Sequence, residues 1–130
     1  MEPICIDTDI LIDLLRGKKA EKIKELEQED AVLMTTAINS FELYYGAYKT
    51  KKRYTNLSAV KDLLKRLVIL QMGEEASEVA GEILGDLESK GQIIDFRDAL
   101  IAGIVVVNGA TLFTGNINHF NRIERVNIRN

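Results

Sequence analysis

The sequence predicts a three-layer α/β/α fold, in which a parallel sheet of four to five strands is covered by helices on both faces. Three observations predict it. Short, near-continuous apolar runs at 4–6, 31–35, 68–70 and 110–114 read as strands buried on both sides. Amphipathic stretches of helical period separate them, the alternation that βαβ units produce. The 130 residues hold a single proline, Pro3, and no Gly/Ser-rich linker or repeat, so residues 1–130 read as one domain.

Each element follows from its own residues. Ile4-Cys5-Ile6 is a short strand ending at Asp7, with Cys5 as core packing. Residues 9–16 form a short helix stopped by Gly17, and Asp9 suits its N-cap. A charged helix follows from 18 to about 29, with Ile23 and Leu26 inward. After the second strand, 36–52 reads as a helix whose apolar face is Ile38, Phe41 and Tyr45. A further helix carries Val60, Leu63, Leu64 and Leu67 and leads into the strand at 68–70.

Residues 74–90 form a long acidic helix with Ala76, Val79, Ala80, Ile83 and Leu87 inside, ended by Gly91. Its apolar stripe is also a candidate dimer surface. Residues 95–107 suit a buried helix with Asp95 as N-cap and Asn108-Gly109 as its end, although Ile104 to Val107 alone would suit a strand. The next strand is 110–114, and a last short one lies around 126–128.

Composition narrows the chemistry. Seventeen Lys plus Arg against twenty Asp plus Glu give a formal charge of -3, which excludes a generally basic nucleic-acid coat protein. One cysteine forbids an internal disulfide and a Cys-rich zinc site, and fits a reducing cytoplasm. One histidine, His119, excludes multi-histidine metal centres. The longest apolar stretch, 99–107, falls short of the roughly 20 residues that span a bilayer, so no membrane partner is expected.

Carboxylates therefore carry the polar chemistry. In open parallel sheets, sites form outside the carboxyl ends of the strands. Asp7-Thr8-Asp9 ends the first strand and Thr114-Gly115-Asn116 the fourth; Glu42 and Asp98 lie early on helices, one turn after Asn39 and Asp95. Carboxylates gathered at one pole repel one another, so a proton is retained or a cation binds. Oxygen-only ligands suit Mg²⁺ or Mn²⁺, ions equipped for phosphodiester hydrolysis. Plainer readings stand beside this one: Asp95 with Asp98, and Asn39 with Glu42, each also suit a capping box, and Asn116 also suits a turn.

Taken together, Ile6-Asp7-Thr8-Asp9-Ile10-Leu11, Glu42-Leu43-Tyr44-Tyr45-Gly46, Asp98-Ala99-Leu100-Ile101-Ala102 and Thr114-Gly115-Asn116, with Phe120 following, resemble the PIN-domain ribonucleases. The likeness is to the VapC-type toxins of bacterial and archaeal toxin–antitoxin pairs, and it covers nearly the whole chain. The resemblance implies a metal-dependent endoribonuclease in which Asp7, Glu42 and Asp98 hold Mg²⁺ or Mn²⁺. The family's fourth polar position, often Asp, falls on Asn116, which removes a charge and puts a second tightly held ion in doubt. Thr8, Asp9, Asp95 and Thr114 are expected around the cluster. The resemblance also implies an RNA substrate, a homodimer and a cognate VapB-type antitoxin.

Two other functions stay open. Asp7-Thr8-Asp9 after a strand is similar to the nucleophile and acid of haloacid-dehalogenase phosphotransferases, though no later paired-acid motif supports it. A non-catalytic PIN-like binding module would explain Asn116. His119 lies near the site, as a surface group or as a phosphate contact. The basic blocks Lys49/Lys51/Lys52/Arg53, Arg16/Lys18/Lys19 and Arg122/Arg125/Arg129 read as solvated faces or as guides for RNA. Setting Asp7, Glu42 and Asp98 aside leaves acids and bases in balance, so RNA engagement is expected to depend on the ion.

Overall fold

Alternation along the first strand sets the two sides of the molecule. In β1 (Glu2–Ile6), Cys5 faces one layer of helices while Ile4 and Ile6 face the other. With both faces covered, the buried part of the strand, Ile4 to Ile6, is apolar throughout. The computed structural model describes residues 1–130.

Along the chain, β1 is followed by α1 (Thr8–Leu15), α2 (Ala20–Gln28), β2 (Ala31–Thr36) and α3 (Ala37–Tyr48). Then come α4 (Arg53–Leu64), β3 (Val68–Leu70), α5 (Glu74–Ser89), α6 (Phe96–Val107), β4 (Thr111–Phe113), α7 (Ile117–Phe120) and β5 (Asn127–Arg129). The five strands form one sheet in the order β3-β2-β1-β4-β5, and every pairing is parallel. The chain builds outward from β1 through β2 to β3, then crosses back to lay β4 and β5 on the other side. The order therefore reverses between β1 and β4, the place outside the carboxyl ends of the strands where open α/β sheets build their sites.

One core layer joins Cys5, Met34 and Leu112 to Ile83, Leu87, Ala102 and Val105 of α5 and α6. The other joins Ile4, Ile6 and Phe113 to Leu11, Ile23, Leu43 and Leu63 of α1 to α4. α5 and α6 approach closely at Gly103, where a Cβ would lie 2.6 Å from the Ala76 carbonyl and 2.8 Å from Ala80 Cβ. The apolar stripe of α5 is thus spent inside the protomer, on α6, and is not free for a dimer partner.

Other expectations change in detail. The helix expected over 36–52 stops at Tyr48, and α4 starts at Arg53. Its inward face is Asn39, Leu43 and Ala47, while Phe41 and Tyr45 are about half exposed, at 56% and 51%. The helix has two stripes of helical period, and the aromatic one is the more apolar. The buried one wins because Leu43 and Ala47 complete the second core layer and Asn39 has polar partners at the end of β1. Asp7, not Asp9, occupies the N-cap of α1. The late apolar segment is the helix α6, capped by Asp95 as expected. No helix is long and apolar enough to cross a membrane.

Candidate active site

Asp7 leaves β1 in an extended conformation and caps α1, its Oδ1 accepting from the Thr8 amide at 2.8 Å. Pairing of Ile6 with Phe113 brings the end of β4 alongside. Asp7 N then donates to the Phe113 carbonyl at 2.9 Å, and Thr114 Oγ1 donates to Asp7 Oδ2 at 2.7 Å. From α3, Asn39 Nδ2 donates to Asp7 Oδ1 at 2.9 Å. Burial, at 3% exposure, pushes the Asp7 carboxyl above the usual range. Its three donors pull it down, and the charge of Glu42 pushes it further up.

Asn39 is aimed by its own helix start. Thr36 caps α3: its Oγ1 accepts from the Ile38 and Asn39 amides at 3.1 Å each, and Asn39 Oδ1 accepts from the Thr36 amide at 3.3 Å. The capping box therefore pairs Thr36 with Asn39, and not Asn39 with Glu42 as the spacing also allowed. With its carbonyl oxygen committed, the Asn39 amide nitrogen is left to bridge Asp7 and Thr8 Oγ1, the latter at 2.9 Å. Thr8 Oγ1 in turn donates to Glu42 Oε1 at 2.8 Å. A continuous hydrogen-bonded chain thus links Asp7, Asn39, Thr8 and Glu42.

The opposite wall belongs to α6. Asp95 caps it through the Arg97 amide at 2.8 Å, and the Asp98 side chain does not close a reciprocal box. Asp98 turns to His119, whose Nδ1 lies 3.3 Å from Asp98 Oδ2. Burial and then the charge of Asp7 push the Asp98 carboxyl up, with His119 opposing. Arg97 grips Asp95 with two prongs, Nε to Oδ1 at 3.1 Å and Nη2 to Oδ2 at 2.8 Å, which holds the Asp95 carboxyl below its usual range. Its remaining nitrogen, Nη1, lies 3.5 Å from Glu42 Oε2.

Asp9 serves the loop after β4. Its Oδ1 accepts from the Ile10 amide at 2.8 Å and its Oδ2 from the Gly115 amide at 2.9 Å. A Cβ at Gly115 would lie 2.6 Å from that oxygen, so a larger residue there would displace the Asp9 carboxylate. Burial and then the Asp7 charge push the Asp9 carboxyl up. Asn116 is exposed; its amide donates to Thr114 Oγ1 at 3.0 Å, and its side chain caps nothing on α7.

The structure thus gathers Asp7, Thr8, Glu42, Asp98 and Thr114 at one pole, with Asp9 and Asp95 at its edges. Arg97 was not read from the sequence as part of the site, although its place between Asp95 and Asp98 is the signal that would have found it. The donor set is all oxygen and hard, which fits Mg²⁺ or Mn²⁺. Burial is the main cause of the upward shifts at Asp7, Asp9 and Asp98, and neighbouring carboxylates add to it. No three of these side chains close on one point in this conformation. Both Glu42 oxygens are turned to other partners, Thr8 and Arg97.

Comparisons with known proteins agree with this architecture. The family model described as PIN domain matches residues 4–126. Ribonuclease VapC2 of Rickettsia felis is 36% identical over 127 residues, covering 96% of this chain and 95% of that protein. The tRNA(fMet)-specific endonuclease VapC of Salmonella typhimurium is 28% identical over 123 residues, covering 95% and 93%. A chain in the crystal structure of VapBC2 from Rickettsia felis, bound to a DNA fragment from their promoter, superposes with a TM-score of 0.92 at 31% identity, covering 98% of each chain.

Proposed function

The chain belongs to the PIN-domain family, among its VapC-type ribonuclease toxins, and on that premise we propose that it cleaves RNA with a divalent ion held by Asp7, Glu42 and Asp98. One observation carries the residue assignment. At the reversal of strand order, Thr114 from β4 and Asn39 from α3 both converge on the buried Asp7 carboxylate, with Glu42 tied to the same network. An apolar strand end would not bury a carboxylate with three donors for packing alone, because desolvation opposes it.

The residues divide the work. Thr114, Asn39 and the Thr8 amide fix the orientation of Asp7, and Asp98 faces it from α6 with His119 beside it. When bound, Mg²⁺ or Mn²⁺ supplies Lewis acidity toward water and the scissile phosphate. Asn116 at the loop edge carries no charge, which favours a single tightly held ion.

The partners follow the same reading: an RNA substrate, a VapB-type antitoxin, a homodimer and a cytoplasmic setting. A groove of about 300 Å³ opens beside Glu42, lined by Ile12, Leu43, Ala47 and Val60, and suits an apolar antitoxin segment. The exposed stripe of Phe41, Tyr45 and Tyr48 supports a second copy as a neighbour.

The test is cleavage of several RNAs, initiator tRNA among them, with Mg²⁺, Mn²⁺ or EDTA, by wild type, Asp7→Asn and Asp98→Asn. Metal-dependent cleavage that both variants lose is expected. Cleavage that persists in both overturns the assignment, and absence of both cleavage and metal binding favours the binding module. The phosphotransferase reading has less support because Asp9, the residue that would act as its acid, spends both oxygens holding the Ile10 and Gly115 amides.

A further inference from the structure

Arg97 is a cation built into a pole otherwise made of carboxylates. Two of its nitrogens bond Asp95, and Asp95 is itself oriented by the Arg97 amide, so one carboxylate sets both the helix start and the direction of the guanidinium. That fork leaves Nη1 directed at Glu42 Oε2, 3.5 Å away, while Glu42 Oε1 is occupied by the Thr8 hydroxyl. The structure's other arginine pairs, Arg125 with Glu82, Arg129 with Glu2 and Glu29, and Arg66 with Glu27, involve none of the pole's carboxylates.

We propose that Arg97 is a resident counter-cation that competes with the divalent ion for Glu42 and thereby sets how tightly the ion is held. The inference rests on the assignment of Asp7, Glu42 and Asp98 as the ion's ligands. The competition is physical: Glu42 Oε2 does not turn fully to a metal while paired with the guanidinium, and a fixed positive charge a few ångströms away repels the incoming ion. The gain is a metal-free pole that stays assembled, because part of the repulsion among its carboxylates is neutralised in advance. Arg97 is therefore a positioning residue, acting through Glu42.

The experiment is calorimetric titration of MnCl₂ into wild type, Arg97→Gln, Arg97→Ala, Arg97→Lys and Asp7→Asn, with folding checked by circular dichroism. Arg97→Gln and Arg97→Ala are expected to bind Mn²⁺ about 3- to 10-fold more tightly, since a partly exposed unit charge is removed beside the site. Arg97→Lys should fall between, keeping the charge without the two-pronged grip on Asp95. The gap should shrink at high salt. In EDTA the same variants should melt below wild type, and saturating Mn²⁺ should close the difference. An arginine that merely braced α6 would lower the melting temperature without tightening the ion, so equal or weaker Mn²⁺ binding by folded Arg97→Gln overturns the proposal. If wild type binds no Mn²⁺, or Asp7→Asn binds it equally well, the ligand assignment itself falls, and this inference with it.

Discussion

Thr114 Oγ1 donates a 2.7 Å hydrogen bond to Asp7 Oδ2 across 107 positions of sequence. The two residues are the first to follow β1 and β4, and the register that pairs Ile6 with Phe113 sets them side by side. Their contact ties the fold directly to the site.

Loss of that donor should be measurable. Thr114→Val leaves a buried carboxylate short of one partner and is expected to cost about 1.5–3 kcal/mol of stability at neutral pH in urea unfolding. Thr114→Ser should restore most of it. Equal stability of the valine and serine variants would show that the hydroxyl contributes nothing.

Asp7 makes the metal-free protein pH-sensitive, with a definite sign. Its folded carboxyl lies above the ordinary value, so the native state holds the proton more tightly than the unfolded chain. Asp9 and Asp98 are shifted the same way. Stability in EDTA should therefore fall as pH rises from about 4, the ordinary carboxylate value, through the raised folded value. Asp7→Asn should flatten that decline and gain about 1 kcal/mol at neutral pH, while cleavage is lost. A pH profile of unfolding parallel to wild type would contradict this account.

Asp9 separates the ribonuclease from a phosphotransferase. Its oxygens hold the Ile10 and Gly115 amides, and an asparagine keeps one such acceptor. Asp9→Asn is expected to retain RNA cleavage within about 10-fold, the loss of a single hydrogen bond's contribution. Abolished cleavage, together with turnover of small phosphoesters by wild type alone, would point to the other chemistry.

Packing of α5 on α6 depends on one missing methyl. Gly103→Ala places a Cβ within 2.6 Å of the Ala76 carbonyl, a backbone atom that moves only with its helix. The expected cost is about 1–3 kcal/mol by thermal or urea unfolding. Gly85→Ala, on the same helix pair but with nothing within 4 Å, should instead be neutral or mildly stabilising. Similar effects at both positions would show that the helices separate freely.

Patterning alone determined the order and kind of the elements apart from the one-turn helix α7 (Ile117–Phe120), which it did not predict. Each apolar run is long enough to cross the sheet once, and each amphipathic stretch has one face to bury, so strands at 4–6 and 110–114 and helices at 74–90 and 95–107 were legible locally. The four polar motifs were legible for the same reason, since strand ends and first helical turns are where a parallel sheet presents side chains. Tertiary structure decided what local period could not. α3 has two candidate apolar stripes, and only its neighbours show that Leu43 and Ala47 turn inward while Phe41 and Tyr45 face out. Asp7 and Asp9 both suit a cap, and only the adjacency of β4 makes Asp7 the buried one and ties Asp9 to Gly115. The ion pair of Arg97 with Glu42 joins α6 to α3, helices far apart in sequence. Hydrophobic period reports which residues leave water; charge pairing across the pole depends on where the sheet brings them, and that is a property of the assembled fold.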